Sequence, residues 1–269
     1  MKIGKYNFDL KNKIYVMGIL NITPDSFSDG GRYNNIDIAI KHTKKMIDEG
    51  ASIIDVGGES TRPGYQKITD EEEIERVVPI IKAINDRFDI PISIDTYKSK
   101  VAKEALNAGA CLVNDIWGLK YDNKMSEIIK QNDISCCIMH NTENLMCKNV
   151  VDDIINELSE SINIAKEAGI SDEKIIIDPG IGFGKSYEAN LSILKHIDQF
   201  HSLKYPLLIG CSRKSVIGNT LNLPVNERLE GTLAISVIAV MSGCSFLRVH
   251  DVKENIRAIK MAETVKNGD

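Results

Sequence analysis

The chain has 269 residues, of which 43% are apolar and 26% are charged, and its formal net charge is −5. At this size a chain forms one large or two medium-sized domains, and burial of roughly 75% of the unfolded surface supplies a core without disulfides or metals. The negative charge argues against a nucleic-acid-binding protein, because phosphate contacts need a basic surface. The sequence has no run of about 18 uncharged apolar residues and no apolar segment near Met1, so we expect neither a membrane span nor a secretory signal.

The six cysteines predict a reduced protein. They form no C-x-x-C pair, and no Cys/His cluster has the spacing of a zinc site. Cys136 and Cys137 are adjacent in an apolar run, so they point to opposite faces of a strand. We interpret the thiols, Cys211 included, as small buried hydrophobic groups, and we expect the protein in the cytoplasm.

Short β-branched runs alternate with helical patterns along the whole chain. The strand-like runs are 14–20, 52–56, 92–94, 111–113, 134–139, 174–177, 206–209 and 245–249. Apolar residues recur with the helical period in 74–84, 154–165 and 229–241, and the shorter amphipathic segments are 36–49, 98–107, 122–131, 188–198 and 251–265.

Eight strands, each followed by a helix, indicate an α/β protein with a parallel sheet, because parallel strands need a crossover helix. Eight such units in about 250 residues match the size of a closed (β/α)8 TIM barrel. We therefore predict a single barrel domain over residues 1–269. An open doubly wound sheet has the same alternation, but no G-x-G-x-x-G motif follows the first strand.

A polar or ionisable residue stands at the end of every predicted strand. In chain order these are Asn21, Asp55, Asp95, Asn114 with Asp115, His140, Asp178, Ser212 to Ser215, and Arg248 with His250. The carboxyl ends of barrel strands form the active site, so we expect these side chains around one mouth. A single one of them is often a cap or turn former, and Asp55 and Asp115 suit that interpretation.

The deeper residues of this set favour a flat heterocycle as ligand. Asp95, Asn114 and Asp178 offer acceptors and one amide, and a buried carboxylate needs donors. A ring with an amidine-like edge presents two parallel N–H groups to one carboxylate. Lys214 can donate to a ring atom, and the Arg248 guanidinium can stack on the ring face.

A second set suits an anion nearer the rim and consists of Asn21, Arg62, Arg248 and His250. Together the two sets predict one ligand with a polar ring and a phosphate tail. Two long glycine-rich loops, 22–31 and 57–64, follow the first two strands. Loops of this kind often cover a barrel mouth and exclude water.

Seven ordered segments carry a resemblance that covers nearly the whole chain. They are MGILNITPDSFSDGG at 17–31, GASIIDVGGESTRPG at 50–64, ISIDT at 92–96, VNDIWG at 113–118, DPGIGFGK at 178–185, GCSRKS at 210–215 and LRVHDV at 247–252. In these segments the chain resembles the dihydropteroate synthases. The resemblance implies a TIM barrel that joins 6-hydroxymethyl-7,8-dihydropterin diphosphate to 4-aminobenzoate, with 7,8-dihydropteroate and pyrophosphate as products, in folate synthesis. It also implies Mg²⁺, a homodimer, and sulfonamides as competitors of 4-aminobenzoate.

The resemblance assigns expected roles to individual residues. The pterin would contact Asp95, Asn114, Asp178, Lys214 and Arg248, with apolar walls from Ile116, Met139 and Phe183. The diphosphate would contact Asn21, which also meets Mg²⁺, together with Arg62, Arg248 and His250. The aminobenzoate site would be bordered by Phe27, Thr61, Pro63, Arg213 and Ser215. The expected catalytic groups are Asp95, Lys214, Arg248 and His250.

The implied reaction resembles loss of diphosphate to leave a pterin-methyl cation, which a weak aryl amine then attacks. The protein must stabilise charge in two places, with Asp95 near the cation and cationic groups near the diphosphate. Closed loops would keep water from trapping the cation. Since no covalent nucleophile is needed, the lack of a Ser/His/Asp or Cys/His arrangement agrees with this chemistry.

Three alternatives remain open at this point. A pterin-binding methyltransferase domain acting on methyltetrahydrofolate would share the barrel acceptors, but it would not need the two loops or the Arg248–His250 pair. A Schiff-base aldolase would need Lys214 with a lowered pKa in a drier pocket. A pterin carrier without catalysis would lack residues such as Asn21 and Arg62, which are present.

Overall fold

The structure is a computed structural model, which describes residues 1–22, 32–60, 67–142 and 149–268, with the backbone alone at 32–35. The strands of this part are β1 (Lys2–Ile3), β2 (Tyr6–Asn7), β3 (Tyr15–Asn21), β4 (Ile53–Gly57), β5 (Ile92–Asp95), β6 (Leu112–Asp115), β7 (Ser135–Met139), β8 (Ile175–Asp178), β9 (Leu208–Ile209) and β10 (Phe246–Val249). The α-helices are α1 (Arg32–Asp48), α2 (Asp70–Asn85), α3 (Ser99–Asn107), α4 (Met125–Gln131), α5 (Val150–Glu167), α6 (Tyr187–Lys195), α7 (Ser215–Leu221), α8 (Leu229–Met241) and α9 (Val252–Asn267).

Strands β3 to β10 form one parallel sheet in which neighbours in the chain are neighbours in space. The two outer strands, β8 and β9, approach each other through a parallel bridge between Ile177 and Leu207. The Ile177 N–H also donates to the carbonyl of Pro206 at 2.9 Å. The sheet is therefore a nearly closed TIM barrel, and the predicted fold class is confirmed. Strand β9 is shorter than predicted, since Pro206 has no N–H for the ladder.

The amino-terminal end of the barrel is closed by a small hairpin that the sequence analysis did not predict. Strands β1 and β2 pair antiparallel around a turn in which Gly4 has φ +57°. Ile3 and Phe8 from this hairpin are buried against the lower interior of the barrel. Two-residue strands are too short to show an alternating pattern, so the sequence gives no signal for them.

The interior of the barrel changes from apolar to polar along each strand. The lower interior is a single apolar cluster formed by Met17, Ile53, Leu112, Cys137, Ile176, Leu208 and Phe246, with Ile3 and Phe8. Two residues further along the same strands come Asp55, Asn114, Asp178 and Arg248. Because side chains two apart in a strand share a face, these polar groups stand on the apolar layer and face the same interior.

Between β9 and β10 the structure has two helices where the pattern predicts one. Helix α7 precedes α8 and is not among the helical segments that the sequence predicts. It has seven residues and is followed by the cap residue Asn222, whose φ of +55° is left-handed. A helix this short carries too few turns for its periodicity to stand out.

The helices cover the outside of the barrel, where outward-facing strand residues such as Val16, Ile54 and Ile138 pack against them. Within the described ranges, each helix is too short or too polar to cross a bilayer.

Candidate functional site

The carboxyl ends of the strands hold an ion-pair network centred on Arg248. Its Nε donates to Asp55 Oδ2 at 2.6 Å, and its Nη2 donates to Asp95 Oδ2 at 2.6 Å. The amide of Asn114 donates to the same Asp55 oxygen at 3.3 Å. Four strands thus contribute one side chain each to this network.

Asp55 is not a cap or turn former, and that interpretation is wrong. The residue lies in the middle of β4, and its side chain is fully buried in the barrel. The spacing of two from Ile53 is the signal that places both on the inner face. Asp115, by contrast, forms a turn as expected, because its two oxygens accept the N–H groups of Trp117 at 2.8 Å and Leu119 at 2.9 Å.

Burial raises the pKa of Asp95 to about 7, although the Arg248 charge acts to lower it. The second oxygen of Asp95 and the second oxygen of Asp55 are buried and accept no hydrogen bond from the described residues. Buried carboxylate oxygens in this state are costly unless a donor meets them. The site therefore suits a ligand that brings N–H groups into the barrel.

Asp178 and Lys214 face each other on the opposite side of the barrel interior. Asp178 Oδ1 accepts the N–H of Gly180 at 2.7 Å, and burial raises the pKa of this carboxyl while the Lys214 charge opposes the rise. A side chain at Gly180 is excluded, because φ is +71° and a Cβ would lie 1.8 Å from the carbonyl oxygen of His140. Burial lowers the pKa of Lys214 to about 8, and its Nζ lies 4.6 Å from the centre of the Phe183 ring.

An apolar wall adjoins these charged groups. Ile116 and Met139 belong to one buried cluster, against which Phe183 packs, as expected. Tyr97 and Trp117 join the same cluster and were not singled out from the sequence. Both follow a strand end in irregular backbone, where hydrophobic periodicity gives no signal.

Lys185 is a further residue that sequence reasoning missed. Its ammonium donates to three backbone carbonyls, those of His140 at 3.2 Å, Gly180 at 2.8 Å and Phe183 at 3.0 Å. Burial lowers its pKa to about 7. Lys185 therefore holds the loop that carries Phe183, and the DPGIGFGK segment was the available signal.

His140 does not face the mouth as expected. It is one residue past the inward-facing Met139, so its ring turns outward, and its Nε2 lies 3.2 Å from Glu157 Oε2 on α5. Burial lowers its pKa to about 3, which keeps the ring neutral near pH 7.

Three of the expected residues, Asn21, Ser212 and His250, stand nearer the rim. Ser212 Oγ accepts the N–H of His250 at 3.2 Å and lies 3.0 Å from His250 Nδ1. Asn21 and Asp95 lie on either side of Gly57, where an added Cβ would be 3.7 Å from Asn21 Oδ1 and 3.6 Å from Asp95 Oδ2.

The two residues expected at the aminobenzoate site lie on the next turn. Arg213 pairs with Asp251 through two hydrogen bonds, and Ser215 opens α7 at an exposed position. The other expected residues, Phe27, Thr61, Arg62 and Pro63, lie outside the described residues, as do most of the two glycine-rich loops.

A second buried charge cluster flanks the second of these loops. Lys98 Nζ lies 2.6 Å from Glu59 Oε2 and 2.8 Å from Glu73 Oε2, and Tyr97 donates to Glu59 Oε1 at 2.6 Å. Glu59 accepts the N–H of Ile68 at 3.2 Å, and Lys98 donates to the Ile68 carbonyl at 2.9 Å. The chain before and after residues 61–66 is therefore joined through this cluster.

The comparisons agree with this geometry. The family model described as pterin binding enzyme matches residues 17–250. A dihydropteroate synthase of Clostridium beijerinckii is 59% identical over 98% of this chain and 99% of its own length. The chain belongs to the dihydropteroate synthases.

Further relatives carry the same name. The dihydropteroate synthase of Bacillus subtilis is 48% identical over 96% of this chain and 90% of its own length. The crystal structure of the Clostridium difficile enzyme in the presence of pteroic acid superimposes with a TM-score of 0.94 at 49% identity, covering 96% of this chain and 99% of that one. The Yersinia pestis enzyme in a sulfonamide drug complex gives a TM-score of 0.93 at 40% identity, covering 100% of this chain and 99% of that one. Membership of this family favours a synthase over the methyltransferase, aldolase and carrier alternatives.

Proposed function

We propose that this protein condenses 6-hydroxymethyl-7,8-dihydropterin diphosphate with 4-aminobenzoate, giving 7,8-dihydropteroate and pyrophosphate in folate synthesis. The observation that carries the proposal is the convergence of Asp95, Asn114, Asp178 and Lys214 above the apolar floor of the barrel. A pterin has donors and acceptors along one edge and flat apolar faces. The apolar wall beside the four polar groups suits those faces.

The amidine-like edge of the pterin would pair with the carboxylates. Asp178 has one oxygen committed to Gly180, which leaves its second oxygen for a ring N–H. Asp95 likewise has a buried oxygen without a donor among the described residues. Lys214 would donate to a ring oxygen or nitrogen from its position over Phe183.

The chemistry would then proceed by dissociation. The carbon–oxygen bond to the diphosphate breaks and both electrons leave with the oxygen, so a pterin-methyl cation forms. Asp95 in its ionised form stabilises this cation electrostatically. The aryl amine donates its lone pair to the methylene carbon, forms the carbon–nitrogen bond and releases a proton.

The leaving diphosphate needs cationic and N–H groups at the rim. The His250 ring stands there, held by Ser212 at 3.0 Å from Nδ1, and Arg62 is expected to add a guanidinium. Arg248 donates one N–H from Nε to Asp55 and one from Nη2 to Asp95, so the two N–H groups of Nη1 and the second of Nη2 are left for the substrate. This makes Arg248 mainly a link between the two carboxylates and the ligand.

Magnesium is part of the proposal, and the residues present fit it. Within the described residues no three His, Cys, Asp or Glu side chains lie close enough to hold a metal ion. Mg²⁺ often keeps waters and takes one or two protein oxygens plus substrate phosphates. Asn21 would offer its amide oxygen, which makes no hydrogen bond with the described residues. Bound to the diphosphate, the ion would neutralise developing negative charge.

We also propose a homodimer through α8 and α9. Ile238 and Met241 on α8 are each 48% exposed, and Met261 and Val265 on α9 are 63% and 61% exposed. A helix that is apolar on its outer face as well as its inner one is normally covered. Val240, on the inner side of the same helix, lies in the core.

A cytoplasmic location is proposed on the state of the thiols. Cys111, Cys136, Cys137, Cys211 and Cys244 are all free. Burial raises the pKa of Cys211 to about 12, so this thiol is an unreactive core group. Free buried thiols suit a reducing compartment.

The test is pyrophosphate release from dihydropterin diphosphate with Mg²⁺, measured with and without 4-aminobenzoate. We expect release coupled to dihydropteroate formation, and its loss in Asp95→Asn. Tight pterin binding without product would instead favour a methyltransferase-like protein or a carrier. Failure to bind pterin would contradict the proposal.

A further inference from the structure

The turn that carries Lys214 and the start of α9 beside it depart from ordinary local preferences at three positions. Residues 211–214 form a tight turn in which the Lys214 N–H donates to the Cys211 carbonyl at 3.2 Å. Its third residue, Arg213, has φ +58°, a left-handed conformation that favours glycine or asparagine. Lys214 then stands at the N-cap of α7, where Ser, Thr, Asp and Asn are preferred.

The third departure is at Asp251. This residue stands at the N-cap of α9, where an aspartate normally accepts a backbone N–H of the first helical turn. Asp251 makes no such bond. Both of its oxygens accept hydrogen bonds from Arg213 instead, Oδ2 from Nε at 2.9 Å and Oδ1 from Nη2. Local departures of this kind cluster where function requires a particular geometry.

The left-handed backbone of Arg213 is held from two further sides. Its N–H donates to Thr232 Oγ1 at 3.1 Å, and its carbonyl accepts from Arg228 Nη1 at 3.1 Å. Arg228 fits only because position 218 is glycine, where a Cβ would come within 2.2 Å of Arg228 Nη2. Arg213 is thus fixed through its side chain, its N–H and its carbonyl by three other side chains.

A second pair of side chains, Ser212 and His250, joins the same two turns. Ser212 bonds to His250, as Arg213 bonds to Asp251, so two successive residues of one turn are paired with two successive residues of the other. The residue that follows the fixed Arg213 is Lys214, whose side chain enters the barrel and donates to the Ile181 carbonyl.

We propose that Asp251 is a positioning residue for Lys214: by holding Arg213 in the left-handed conformation, it sets the turn that directs Lys214 into the pterin site. In this arrangement the Arg213 guanidinium is paired with Asp251 and does not bind the aminobenzoate carboxylate. The role in turnover rests on the proposed function, whereas the effect on the Lys214 side chain does not.

The test combines Asp251→Asn with Arg213→Gly. Asp251→Asn weakens the clamp while Arg213 retains its unfavourable conformation, so we expect the KM for dihydropterin diphosphate to rise about tenfold. Glycine adopts the left-handed turn without a clamp. The double variant should therefore recover to within about threefold of the wild type, with the KM for 4-aminobenzoate unchanged. Asp48→Asn, in an exposed pair with Lys44, is the matched control and should have no effect.

A second readout separates positioning from general damage to the fold. The Lys214 ammonium can be followed by NMR in ¹⁵N-lysine-labelled protein without substrate, with Lys214→Arg to assign the signal. In Asp251→Asn the midpoint of its titration should move upward from about 8 as the ammonium regains water, and it should return in the double variant.

Three results would overturn the proposal. One is an unchanged Lys214 titration and an unchanged pterin KM in Asp251→Asn. Another is a double variant that stays as impaired as Asp251→Asn. The third is a raised 4-aminobenzoate KM in Arg213→Gly, which would place the guanidinium on that substrate. If the wild type released no pyrophosphate, the proposed function would fail, and the titration alone would still decide the role of Asp251.

Discussion

The Arg248 guanidinium bonds the Asp95 carboxylate at 2.6 Å across the barrel, joining residues 153 positions apart in the chain. Asp55 shares the same guanidinium, so two carboxylates compete for one cation. Burial raises the pKa of Asp95 to about 7, the Arg248 charge opposes the rise, and the Asp55 charge adds to it.

The pH profile of kcat/KM for dihydropterin diphosphate should be bell-shaped. Asp95 must be ionised, and its pKa of about 7 in the free protein makes the rate fall as pH drops below that value. Lys214 must be protonated, and its pKa of about 8 makes the rate fall as pH rises above that value. Stopped pyrophosphate assays from pH 5.5 to about 9.5 measure both limbs. Lys214→Arg should remove the alkaline limb, and a limb that persists in that variant would contradict the assignment.

Asp55→Asn should move the acid limb to lower pH. The Asp55 charge raises the pKa of Asp95, and its loss also leaves Arg248 to Asp95 alone. Both effects favour the ionised form of Asp95, so the midpoint should fall clearly below about 7. Asp115→Asn removes a buried carboxylate that bonds only backbone N–H groups and should leave the limb in place. An acid limb that stays the same in both variants would show that Asp55 and Asp95 are not coupled.

Lys98→Met should destabilise the protein strongly. It leaves Glu59 and Glu73 buried, at 4% and 1% side-chain exposure, without their shared cation. Breaking a buried pair in this way costs about 3–5 kcal/mol, measurable by urea denaturation. Lys100→Met, two residues further along in α3, removes an exposed pair with Glu71 and should cost about 0–1 kcal/mol. Equal losses in the two variants would mean that the buried cluster contributes no more than a surface pair.

Asn21→Ala should raise the Mg²⁺ concentration needed for half-maximal pyrophosphate release by about tenfold, since it removes one oxygen ligand. Chelation of Mg²⁺ should stop release in the wild type. Asn132→Ala, at the exposed residue that follows α4, is the control. An unchanged Mg²⁺ dependence in Asn21→Ala would remove this residue from the metal site.

Ile238→Glu should convert the dimer to a monomer, because a charge at the centre of an apolar interface is left unpaired. Sedimentation at several protein concentrations measures the change. Ile38→Glu, at a similarly exposed position on α1, should leave the assembly unchanged. A wild type that sediments as a monomer would contradict the proposed interface.

The sequence predicts the barrel well because strand and helix periods are local properties. All eight barrel strands appear where β-branched runs predict them. Asp55, Asp95, Asn114 and Arg248 meet in the barrel interior, whereas His140 turns outward to Glu157. What the sequence does not contain is the pairing between distant side chains. The interpretation of Asp55 as a cap or turn former was wrong because the local sequence around a single aspartate does not show its partner. The partner, Arg248, lies on the last strand of the barrel.

The Lys98 cluster was missed for a related reason. Its two glutamates come from the loop after β4 and from a helix, and each suits a solvated surface when taken alone. Only the packing of α2 against α3 brings their charges onto one ammonium. Short elements such as α7 and the amino-terminal hairpin were not predicted because they have too few residues to show a hydrophobic period.

The barrel has a seam between β8 and β9. These strands meet at one described bridge, Ile177 to Leu207, whereas β3 and β4 are in register over Met17 to Asn21. Asp178 ends the strand on one side of the seam, and the turn to Lys214 leaves the strand on the other. A pterin held by both residues would link β8 and β9 where a single bridge pairs their described residues. Release of the ligand and local separation of β8 from β9 would then be coupled, so the bound pterin would also help to keep the barrel closed.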